Sequence, residues 1–168
     1  MQQTSTKFKW TMAISLITCL TGCKMGDDLP KFSTDIAALE KIIELPVPHT
    51  EAKWEVFGTP EYSGGVPGPT DYMTLVAEIK MESVQKMNYG PSSEPFWIAP
   101  ESARTWLSPK FSRLLESSKN AYIDTADHPD CAPIEVTMKK SRTRRSGFIC
   151  EGSESFLVYL MIANFTSG

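Results

Sequence analysis

Few residues in this chain have the types and spacing for chemistry. The only histidines are His49 and His128. Nucleophilic hydrolysis needs an activated Ser or Cys, a base and an orienting acid. The sequence has no G-x-S-x-G stretch, and His49 sits between Pro48 and Thr50 in an expected exposed loop. Carbohydrate cleavage needs only two carboxylates at a set separation. With 20 acids in the chain, no pair stands out. Asp124, Asp127, His128 and Asp130 cluster before Cys131, where they could offer oxygen ligands to a hard cation. The cluster lacks the D-x-[DN]-x-[DN]-G spacing of a calcium loop and the close His/Cys spacing of zinc sites. It reads as an acidic loop, and neither a metal nor a cofactor is expected.

Binding is better represented than catalysis. Residues 64–70 (GGVPGPT) lack the Lys of a phosphate loop. They read as a rigid connection, or as a preorganised binding finger flanked by Tyr62 and Tyr72. Residues 139–145 (KKSRTRR) hold five basic side chains of seven: Lys139, Lys140, Arg142, Arg144 and Arg145. Such a run is a solvated hairpin tip, or a docking site for anionic head groups or an acidic protein patch. For the second use arginine is suited, because its planar fork makes bidentate contacts with carboxylates and phosphates. Cys131 and Cys150 lack C-x-x-C spacing and are expected to form a disulfide.

These groups must be held by 168 residues with 41% hydrophobic and 22% charged side chains. That balance excludes a wholly disordered chain, collagen and coiled coil. It fits a single globular domain able to bury a core.

The N-terminus is an address. Residues 1–9 carry Lys7 and Lys9 without an acid, and residues 10–20 (WTMAISLITCL) are mostly apolar. A basic segment followed by a short apolar run is a secretory signal, too short to span a bilayer. It ends in Leu20-Thr21-Gly22-Cys23, which resembles the lipobox of bacterial lipoproteins. The resemblance covers residues 1–23 only. It implies removal of 1–22, diacylglyceryl transfer to the Cys23 thiol and acylation of the new amine, palmitate being the usual kind of chain. Two or three acyl chains hold a protein far more firmly than one. Lys24 follows, and by similarity to enterobacterial lipoproteins this implies the outer membrane. After cleavage 15 basic residues face 20 acids, a net charge of −5. No general nucleic-acid affinity is expected.

Residues 23–32 are then a lipidated tether, and 33–168 a single domain. A helix is expected over 33–45, capped by Ser33 or Thr34, with Ile36, Leu39, Ile42 and Ile43 in one stripe. Further helices are expected over 100–107 and 108–118. Strands are expected at 52–58, 72–81, 134–140, 146–151 and 155–163, the last covered on both faces. The predicted fold is α+β: an antiparallel sheet of about five strands with two or three helices on one face.

No family is identified for the mature domain. The leading expectation is a lipid-anchored, periplasm-facing protein that binds another protein, as an inhibitor or immunity factor against an envelope-targeting toxin. The alternatives are a structural accessory of an envelope or secretion assembly, and an enzyme acting on cell wall or lipid.

Overall fold

The computed structural model describes residues 32–45, 48–61, 70–81 and 95–164. Helix α1 (Ile36–Ile42) leads into strands β1 (Glu51–Thr59) and β2 (Tyr72–Lys80). A two-residue strand β3 (Phe96–Trp97), helix α2 (Pro109–Ser117) and strand β4 (Tyr122–Ile123) follow. A single 3-10 turn (Thr125–Asp127) precedes β5 (Cys131–Thr137), β6 (Arg144–Glu151) and β7 (Ser155–Asn164). The five long strands form one sheet in the order β1-β2-β7-β6-β5, and β3 pairs with β4 in a second, small sheet. Every pairing is antiparallel.

The expected strands form within a few residues of their predicted limits, and β7 lies at the centre. Phe156, Leu157, Val158, Tyr159 and Leu160 are all buried, so both faces of β7 are covered. Alternation along the strands divides the core in two. Leu75, Ala77, Val158 and Leu160 pack with Leu39 and Ile43 of the α1 region. Val76, Leu157, Tyr159 and Phe148 pack with Phe111 and Leu115 of α2. The helices therefore serve opposite faces, which corrects the expectation that they share one. A central strand without a polar face needs apolar cover on both sides, and each helix supplies one side.

Local chemistry explains the helix limits. The α1 N-cap is Asp35, not Ser33 or Thr34: its carboxylate accepts the Ala38 N–H at 2.9 Å. Ser33 instead forms an isolated bridge with Trp54 on the outer edge of β1. Ser108 takes the N-cap position of α2 with Pro109 following, but its side chain makes no capping hydrogen bond; its backbone N–H donates to Glu78. No helix forms over 100–107. That segment makes turns, closed by Ser102 N–H to the Ala99 carbonyl and Leu107 N–H to the Arg104 carbonyl.

Cys131 and Cys150 are directly opposite in the β5–β6 register and are joined by a disulfide. Closing a loop of this length contributes about 3 kcal/mol in the chain-entropy account. The bond lies at the base of the hairpin. Thr137 and Arg144, the pair nearest the tip, are about 20 Å further along at strand spacing.

Candidate functional site

Antiparallel register brings one end of every long strand together. Thr59, Tyr72, Asn164, Arg144 and Thr137 occupy this end of the sheet. The disulfide and the Glu51–Lys80 pair lie at the other end. Tyr72 and the basic segment, 67 or more residues apart in sequence, thus end up at the same place. Tyr62 and Cys23 lie outside the described residues.

A groove of about 340 Å³ opens on this end, on the face that α2 covers lower down. Its walls include Tyr72, Phe96, Trp97 and Tyr122, and Gly147 and Met161 contribute from the sheet. The Tyr72 and Trp97 rings meet at 4.6 Å. Behind them Phe96 packs on Phe148, and Phe148 stacks on Tyr159. Tyr122 is 70% exposed on the rim. Aromatic side chains offer large contact area for little conformational entropy, and for that reason they anchor many interfaces.

The β3–β4 pair carrying Trp97 and Tyr122 is latched to the sheet by one hydroxyl. Tyr159 donates to the Trp97 carbonyl at 3.1 Å and accepts the Ala99 N–H at 2.9 Å. Burial raises the Tyr159 pKa above the ordinary tyrosine range, chiefly by disfavouring the phenolate. A raised folded value means that this contribution to stability is fully present below about pH 10. It is lost as pH rises through the folded value. Tyr159→Phe is expected to cost about 1–3 kcal/mol at neutral pH, because the Ala99 N–H loses its acceptor. The variant should also show a shallower loss of stability above about pH 10. Urea titrations at a series of pH values check both effects.

The basic segment forms the β5–β6 tip. Met138 N–H donates to the Thr143 carbonyl, and Arg142 N–H donates to the Met138 carbonyl. Lys139, Lys140, Arg142 and Arg144 are exposed, and Arg145 is half-buried. Arg144 and Ser146 share the face of Phe148, and Ser146 lines the groove. The Arg144 side chain therefore starts about 7 Å beyond the groove along β6. It makes one exposed contact, with Glu135 at 3.4 Å. Arg145 points to the opposite, α1-covered face, where its Nε is buried without a hydrogen-bond partner. The structure thus splits the expected basic ribbon between two faces.

The other candidates are placed differently. Asp124 caps the 3-10 turn through the Ala126 N–H, and Asp130 pairs with Lys110 at 2.7 Å. His49 sits in a loop with Pro48 and Thr50 exposed, as expected, but its own side chain is half-buried, 3.1 Å from Glu40. A second cavity of about 510 Å³ lies at the β1 edge, lined by Ala52, Lys53, Glu78, Trp106 and others. Its Glu78 already accepts from Ser108 N–H and the Ser155 hydroxyl, and Glu51 and Lys80 are paired. These polar groups satisfy one another.

Sequence reasoning missed Phe96, Trp97 and Tyr122 as parts of one surface. Phe96-Trp97 was legible as an aromatic pair between prolines. Nothing local indicated that Tyr122 would join it. Scans of protein-family models, curated proteins and solved structures gave no match to this chain.

Proposed function

We propose that this is a lipid-anchored protein of a bacterial envelope, facing the periplasm, that binds a protein partner through the end of the sheet bearing the groove. One observation carries the reading: an aromatic cleft with an exposed tyrosine rim lies beside a cationic hairpin tip. The lipobox motif, Leu20 to Cys23, supports the anchored part and a placement at the outer membrane. An inhibitor or immunity role against an envelope-targeting toxin suits such a surface. A structural accessory of a secretion or envelope assembly is the other use of the same anchored scaffold, and cell-wall or lipid chemistry remains the third.

Cys23→Ser is expected to abolish incorporation of labelled palmitate and to shift the protein from the membrane pellet to the soluble periplasmic fraction. Unchanged labelling would remove the anchor from the reading. For the surface, a photo-crosslinking amino acid replaces Tyr122 in producing cells, with Ser117 on α2 as control. A discrete adduct from position 122 and none from 117 is expected when the partner is present. Identical patterns from both positions, across resident envelope proteins and added secreted toxins, would refute binding through this end.

A further inference from the structure

We propose that the partner presents an acidic segment with an apolar or aromatic anchor residue: the anchor fills the groove and the acids lie over the hairpin tip. This rests on the binding role proposed above and names the chemistry of the partner. Three observations converge on it.

The first is charge. Among the described residues Lys139, Lys140 and Arg142 form no ion pair, and the only one at Arg144 is the exposed contact with Glu135. The mature chain is otherwise strongly acidic, with 10 basic residues against 20 acids outside 139–145. The tip is the complement of an acidic partner, and the rest of the domain repels one.

The second is continuity. Ser146 lines the groove and Arg144 follows on the same face, so a residue anchored between Trp97 and Tyr122 places its neighbours within reach of the arginines. A volume of about 340 Å³ suits one large side chain and part of the next.

The third is the backbone. Arg142 adopts φ 58°, a left-handed conformation where Gly or Asn is more comfortable. The tip thus carries a cation at a position that folding alone would give to glycine. Strain retained at an exposed charged residue points to a use for the charge.

The test is peptide display. Short random peptides are selected on the full chain purified in detergent, then measured by fluorescence anisotropy. Enriched sequences are expected to hold an aromatic or large aliphatic residue flanked by Asp and Glu. The triple variant K139E/K140E/R142E should weaken the best peptide by about tenfold or more at low ionic strength, and by less at high salt. Tyr122→Ala should weaken it by about thirtyfold. Arg142→Gly should weaken binding while raising the urea midpoint, an outcome no purely structural role gives.

Groove-dependent peptides without acids, unaffected by charge reversal, would overturn this inference and leave the binding role standing. No selectable peptide together with no adduct at position 122 would end both. Binding to phosphatidylglycerol vesicles that needs the tip but ignores Tyr122→Ala would also overturn it, in favour of a lipid surface.

Discussion

Replacing Arg104 with alanine is expected to destabilise the domain by about 3–5 kcal/mol, as removal of one partner from a buried ion pair does. Arg104 Nη2 donates to Glu55 Oε1 at 2.9 Å and to Glu61 Oε1 at 3.1 Å. Its guanidinium lies 4.1 Å from the Phe57 ring centre. The side chains of Arg104 and Glu55 are 11% and 7% exposed, so neither charge reaches bulk water to recover its hydration. Without Arg104 the Glu55 carboxylate retains the Trp106 indole N–H at 3.2 Å as its one remaining donor. Phe57 loses its cationic cover as well. The cost comes from the abandoned charge, so removing both charges should be milder. The double variant E55L/R104M is expected to recover more than half of the loss. Urea unfolding of the two variants checks the pair. A loss below about 1 kcal/mol for Arg104→Ala would mean that water screens the site.

Gly147→Ala is expected to cost about 3 kcal/mol, the upper end of the usual range for overpacking. An alanine Cβ there would lie 2.1 Å from the Tyr159 carbonyl oxygen and 2.5 Å from Leu160 Cδ2. The Tyr159 oxygen is backbone, and it belongs to the central strand, held on both sides by β2 and β6. It cannot rotate away; β6 and β7 would have to part. Gly58→Ala is the informative comparison. Its Cβ would also meet atoms too closely, at 2.5, 2.8 and 3.2 Å, but all three belong to the Thr70 side chain rather than to a backbone paired on both sides. Gly58→Ala should therefore be clearly milder. Because Gly147 also lines the groove, its valine variant should lose binding through misplaced strands even where some protein still folds. Chemical denaturation orders the variants. Equal costs at 58 and 147 would show that the β6–β7 ladder yields as easily as a side chain.

The buried Arg104–Glu55 pair and the Tyr159 latch act across long sequence separations. Glu55 and Arg104 are 49 residues apart, and the Tyr159 hydroxyl reaches back 60 residues to Ala99. Nothing in a local window shows these partners. Arg104 and Trp106 sit in a stretch whose starting proline suggested a short helix. The segment turns because its polar side chains reach a carboxylate on β1, and tertiary pairing outweighs weak propensity. Likewise only pairing with Phe96-Trp97 makes Tyr122 part of a rim.

What the sequence determined alone is whatever depends on neighbours within a few residues. Period-two patterns located β1 and β2, because alternation is a property of each strand. The all-apolar run at 155–163 announced a central strand covered twice. Ser108-Pro109 announced α2, and two cysteines behind a signal-like N-terminus announced their pairing. The tertiary structure decided which helix covers which face, since an apolar stripe says how much is buried but not against what. It also decided that Tyr72 and the basic tip meet at one end. Antiparallel register fixes that meeting: it carries strand ends past one another over distances that no local signal spans.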